Sequence, residues 1–137
     1  MTFSHTRVLA LALAAGCVAL LAALPAFASS AKAQATTVNV TVKKSNDFKF
    51  ILSKTSVPHG AVTFKFSNQG QLPHDFKLCS SNKGGTANSC TGKVTPVISP
   101  GTTATLKVTL SKAGKYEYLC TVPGHAASGM KGIVTVK

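Results

Sequence analysis

Four side chains in this sequence have the types and spacing to bind one transition-metal ion. Cys120, His125 and Met130 lie in the stretch Cys-Thr-Val-Pro-Gly-His-Ala-Ala-Ser-Gly-Met, and His74 lies upstream in Leu-Pro-His-Asp-Phe. A thiolate, two imidazoles and a thioether are the donors that hold copper in an electron-transfer centre. Three of the four sit within a single loop's reach of one another. Zinc also takes one Cys and two His in tetrahedral sites, but thioethers are not among its usual structural ligands. A trigonal plane of two His and one Cys with a long axial Met suits Cu(I) and Cu(II) alike, so little rearrangement accompanies the gain or loss of an electron. The metal itself keeps the thiol deprotonated, and an apolar shell excludes solvent and raises the potential. Taken singly, a His in an apolar strand, a Met or a C-terminal Cys is more often plain core. It is their convergence that makes the pattern informative.

The elements that must position these donors are strands. After residue 36 no sustained 3.6-residue apolar period occurs, while two-residue alternation recurs, as in half-buried strands. Val38, Val40 and Val42 share one face; Phe48, Phe50 and Leu52 share another; Val62, Phe64 and Phe66, then Leu106, Val108 and Leu110, form two more rows. Turn signals at Pro58-His59-Gly60, Asn68-Gln69-Gly70, Pro100-Gly101 and Ala113-Gly114 separate them. Seven or eight short strands at this spacing predict a β-sandwich or barrel. His74 is in phase with Phe76 and Leu78, Cys120 with Tyr116 and Tyr118, and Met130 with Val134 and Val136, so all three are expected on inward faces. His125 has no strand to aim it and hangs in the loop between two of them.

The first residues read as an export leader: His5 and Arg7, an apolar run from Val8 to Leu24, then Ala26-Phe27-Ala28. Cleavage is expected after residue 28 or after residue 33. The apolar run falls just under the ~18 residues of a spanning helix, and a leader left in place would make the chain membrane-anchored. Residues 29–36 are expected to be a flexible stub and residues 37–137 one small domain. Destination is then periplasmic or extracellular. Cys17 leaves with the leader, so the mature part keeps Cys79, Cys90 and Cys120. Exported thiols normally pair; Cys79 and Cys90 bracket a Gly/Ser/Asn-rich segment expected to be a flexible loop, and Cys120 is left free for a metal.

The chain carries 15 Lys and Arg against 3 Asp and Glu, a net charge of +12. The cations of the mature part are all lysine, whereas base reading favours arginine, and no nucleic-acid-binding motif is present. The lysines are expected to keep the protein soluble and to steer it toward an acidic redox partner or an anionic membrane face. No small-molecule substrate and no enzymatic role are expected: Asp47, Asp75 and Glu117 are scattered along the sequence, and no hydrolytic triad or multicopper His-x-His cluster occurs. A copper-binding or copper-delivery protein without an electron-transfer role is the alternative.

The segment Tyr116–Val136, together with Asn68-Gln-Gly-Gln-Leu-Pro-His-Asp-Phe76, resembles the plastocyanin/azurin family of cupredoxins, and the Cys-x4-His-x4-Met stretch is the most specific part of that likeness. The resemblance implies an all-β, eight-stranded Greek-key sandwich with copper near one end. The protein is expected to be a monomer. Carried over, His74, Cys120 and His125 are equatorial ligands and Met130 the axial one. The edge of His125 is implied to open on an apolar patch for which Pro73, Pro123, Ala126 and Ala127 are the candidates. Family members often carry Asn after the first ligand His; here Asp75 takes that place and is expected to bond Thr121 in the loop after the Cys.

Overall fold

The computed structural model describes residues 34–85 and 87–137. The expected leader and most of the stub lie outside the described residues, and Thr36 already opens the first strand. Nine strands follow among the described residues: β1 (Thr36–Lys43), β2 (Asn46–Leu52), β3 (Ser56–Val57), β4 (Gly60–Gln69), β5 (Lys77–Cys79), β6 (Gly92–Val94), β7 (Thr103–Leu110), β8 (Gly114–Leu119) and β9 (Lys131–Val136). The surplus over seven or eight comes from β3, β5 and β6, which are too short to show alternation in a sequence.

The strands form two sheets, β2-β1-β4-β7 and β3-β9-β8-β5-β6. β1 and β4 run parallel, with Val38 opposite Phe64 and Val40 opposite Phe66; between them the chain passes through β3 in the other sheet. That crossing makes a sandwich rather than a meander. Register follows hydrophobicity, because a one-residue slip would turn Val38, Val40, Phe64 and Phe66 to solvent and Thr37, Asn39, Thr63 and Lys65 to the interior. The inner faces meet in one core. Its centre is Phe76, whose ring lies 5.2 Å from Phe50, 5.2 Å from Phe64 and 5.5 Å from Tyr118.

Two expectations change. Phe48 does not join the row of Phe50; it is 38% exposed. The β1–β2 ladder is irregular between Val42, which faces Phe50, and Lys43, which faces Asn46. Asp47, Phe48 and Lys49 therefore bulge from the ladder, and a bulge re-aims side chains. The segment after Cys79 is pinned at Asn82 and Gly84 rather than free. Asn82 accepts from the Lys115 amide at 2.8 Å and donates through its side chain to the Ala113 carbonyl at 2.8 Å, while Gly84 donates to the Lys115 carbonyl at 2.6 Å. This segment explains why β8 is buried on both faces: Leu119 packs outward against the Cys79–Cys90 disulfide and Ala126 in a second small cluster.

Because that bridge closes 11 residues of separation, replacing both Cys79 and Cys90 by serine is expected to lower stability by about 3 kcal/mol. Urea denaturation reads this directly, and an unchanged midpoint would show that the pinned loop needs no cross-link.

Candidate metal centre

The site lies where the inward rows end. β8 delivers Cys120 one residue past its last strand position, and β9 begins just after Met130. The Cys120 amide donates to the Met130 carbonyl at 3.0 Å, and the Met130 amide donates to the His125 carbonyl at 3.0 Å, so one loop is stapled at three donor-bearing residues. His125 and Ser128 amides donate to Val122 and Gly124 carbonyls. Turns this tight need left-handed backbone at Gly124 (φ 83°) and Gly129 (φ 101°), which only glycine adopts without cost.

His74 arrives differently. It precedes β5 and is fixed by a two-bond bridge: its amide donates to Ile98 at 3.1 Å and its carbonyl accepts from Ile98 at 2.8 Å. The turn before it is held by Asn68, which occupies the last inward position of β4. The Asn68 side-chain amide donates to the carbonyls of Leu72 (2.8 Å) and Ile98 (3.0 Å), and its oxygen accepts from Gly70 (3.0 Å). A polar residue in an apolar row was the signal for this clamp, and reading the row only for hydrophobicity missed it.

These elements bring His74, Cys120 and His125 together in a buried group whose donor atoms all lie within 4.8 Å of one another. The Nδ1 atoms of the two imidazoles are 3.0 Å apart, and Cys120 Sγ lies 3.9 Å from that of His74 and 3.5 Å from that of His125. The point equidistant from the three atoms is about 2 Å from each, which matches first-row metal bonds to imidazole nitrogen and thiolate sulfur. Met130 is fully buried in the same core cluster as Cys120. The residues therefore fit an ion of the copper type in both chemistry and spacing.

Burial pushes the Cys120 thiol up to about 11, and the Asp75 carboxylate beside it adds to the rise against backbone bonds that lower it. In the absence of metal the thiol is protonated at neutral pH. A metal must therefore displace a proton to bind. Burial, with His74 close by, holds the His125 imidazole below its ordinary value, which leaves it neutral and able to donate a lone pair.

Asp75 is 2% exposed. Its carboxylate accepts from the Thr121 amide at 2.6 Å and from the Thr121 hydroxyl, tying the His74 segment to the residue after Cys120. Asp75→Ala leaves both donors without their acceptor and is expected to cost about 1.5–3 kcal/mol, the range for bonds to a charged group. It should also shift the reduction potential of the copper-loaded protein. Unchanged stability and potential would show that the contact ties nothing.

One of the four residues expected to form the apolar patch is not at the surface. Pro73, Pro123 and Ala127 are exposed, but Ala126 is buried against the disulfide cluster because the loop turns it away from solvent. Two exposed apolar side chains, Phe48 and Leu72, were not anticipated. Phe48 meets the His125 ring edge-on, with centroids 5.1 Å apart. Asp47, carried in the same bulge, places Oδ1 3.1 Å from His74 Nε2. The carboxylates that look scattered in sequence thus converge in part: Asp47 and Asp75 both serve the His74 side of the site.

A two-sheet sandwich ending in a buried pair of histidines, a free cysteine and a methionine defines a cupredoxin with a type 1, or blue, copper centre. The family model for copper binding proteins of the plastocyanin/azurin family matches residues 36–137, and the chain belongs to that family. Among solved structures it is similar to dithionite-reduced auracyanin from the photosynthetic bacterium Roseiflexus castenholzii, at 25% identity and a TM-score of 0.63 over 75% of this chain and 98% of that one. It is also similar to auracyanin B, at 26% identity and a TM-score of 0.60 over 75% and 89%. Reduced rusticyanin aligns at 28% identity and a TM-score of 0.50 over 76% and 81%. Comparison with curated protein sequences finds no match.

Proposed function

We propose that this protein is an exported one-electron carrier in which His74 and His125, through Nδ1, Cys120, through Sγ, and Met130 would hold copper. The observation that carries this reading is the buried convergence of those three donor atoms within 4.8 Å. Copper, when bound, supplies a Cu(II)/Cu(I) couple. The protein's part is to hold the donors still. Backbone bonds linking Cys120, His125 and Met130, the His74–Ile98 bridge and the Asp75–Thr121 contact fix them from separate directions. Donors held in this way move little when the charge of the ion changes. Phe76, Tyr118 and Met130 are buried in the same hydrophobic core cluster as Cys120. Phe48, which meets the His125 ring, and Leu72, Pro73, Pro123 and Ala127, near the ligands in sequence, are exposed apolar side chains, and they are the proposed place of electron exit and entry.

The surface supports an acidic partner. Asp47, Asp75 and Glu117 are the chain's three carboxylates, and all are buried or nearly so, while most lysines are exposed. Exposed charge is thus almost entirely positive, which favours fast encounter with an acidic protein. The electron-transfer rate toward such a partner is expected to fall steadily as ionic strength rises and the Debye length shrinks. A salt-independent rate would remove steering from the proposal.

The experiment that tests the carrier reading is titration of the metal-free protein with Cu(II). Intense visible absorption from a copper–thiolate site, with reversible one-electron voltammetry, is the expected result. A colourless adduct would overturn it in favour of copper binding or delivery.

A further inference from the structure

We infer that Asp47 is a positioning residue of the metal centre that fixes His74 in a single tautomer and biases the one-electron couple toward its oxidised state. The inference deepens the copper-carrier reading and rests on it for the redox half. Three observations carry it. The bulge between Val42 and Lys43 swings Asp47 out of the β1–β2 ladder and sets its Oδ1 3.1 Å from His74 Nε2, with the Asp47 side chain only 11% exposed. The carboxylate is itself held, because the Gln71 amide lies 3.0 Å from each of its oxygens. The turn also closes down on it: a Cβ at Gly70 would stand 1.8 Å from Asp47 Oδ1, so only glycine permits this approach. A bulge, an anchoring amide and a glycine thus combine to place one carboxylate on the outer nitrogen of a buried imidazole.

The chemistry follows from the imidazole. A neutral ring has one N–H, and the nitrogen facing a carboxylate is the one that keeps it. Nε2 therefore donates to Asp47, and the Nδ1 lone pair is left facing Cys120 and His125. A carboxylate behind a ligating imidazole fixes the ring orientation and raises its basicity. A fixed negative charge at that position also stabilises the ion with the greater positive charge, and it is shielded from full solvent screening by its partial burial.

The test uses the full protein and two variants. Asp47→Asn keeps an acceptor oxygen and removes the charge; Asp47→Ala removes both. Copper-loaded Asp47→Asn is expected to remain blue, with its preference for Cu(II) over Cu(I) reduced about tenfold, the lower end for loss of a supporting partner. For a one-electron couple that is a rise in potential of about 59 mV. In the metal-free protein, nitrogen NMR of His74 is expected to show Nε2–H in wild type and Asp47→Asn, and a mixture of tautomers in Asp47→Ala. Wild-type potential in a blue Asp47→Asn protein overturns the inference, as does Nδ1–H at His74 in wild type. A variant that melts earlier but keeps its potential and tautomer reduces Asp47 to an anchor for the 69–71 turn and equally overturns it. If Asp47→Ala does not fold, Asp47→Asn and the wild-type tautomer decide alone. A wild-type protein lacking the copper–thiolate band strikes the carrier reading instead, and the tautomer measurement then judges Asp47.

Discussion

Cys120→Ser is expected to abolish the visible colour of the copper-loaded protein and to weaken copper binding by more than the 10–100-fold that loss of a supporting partner costs. The hydroxyl is nearly isosteric with the thiol, so the buried position and the backbone bond from Cys120 to Met130 should survive. What disappears is the soft anionic donor. The thiol sits at the meeting point of two imidazoles, and burial keeps it protonated, up to about 11, until a metal takes the proton's place. A serine hydroxyl is far harder to deprotonate and lacks the sulfur that gives a copper–thiolate site its intense absorption. Absorption spectroscopy and competition with a copper chelator measure both effects. A serine variant that stays blue would place the ion elsewhere in the molecule.

Phe76→Ala is expected to be the most damaging single core substitution, costing about 3–5 kcal/mol. The ring is fully buried and packs against Phe50, Phe64, Phe66 and Tyr118, which come from both sheets. Deleting it opens a cavity at the centre of the sandwich. Domains of this size commonly have only ~5–15 kcal/mol in total, so the variant should be marginal at room temperature. Phe76 also lies two residues from His74, and its amide donates to the Thr95 hydroxyl at 3.0 Å. Relaxation of the cavity should therefore reach the metal end. Denaturant unfolding that shows a lower midpoint at unchanged slope would report lost stability alone. A loss below about 1 kcal/mol, the scale of an ordinary substitution, would mean the surrounding rings close the gap, contrary to this account.

The donors and the strands that carry them were legible because both depend on local pattern. Two-residue alternation placed Val38, Val40, Phe64 and Phe66 inside, and it gave His74, Cys120 and Met130 their inward phase. Free and paired cysteines followed from their number and spacing. The same method failed where the ladder breaks. Phe48 has the phase of Phe50 on paper, yet three residues of β2 face a single step of β1, so phase stops predicting direction there. Glu117 and Leu119 should point outward from β8 and are nonetheless buried, because the disulfide segment folds over that face.

By itself, then, the sequence determined which side chains could bind metal, that alternating strands lead to and from them, and that Cys120 stands apart from the paired thiols. Apart from His74, which lies 46 residues before Cys120, these properties are carried by residues near one another along the chain. Only the tertiary structure decided what surrounds the donors: Asp47 behind His74, Phe48 across His125, Asn68 beneath the turn, and Ala126 turned inward to the disulfide. Those contacts join segments distant in sequence, and they hang on a bulge and on loop closures whose geometry leaves no periodic trace. A strand announces itself by its repeat; a single break in the ladder does not, although here it sets the environment of His74.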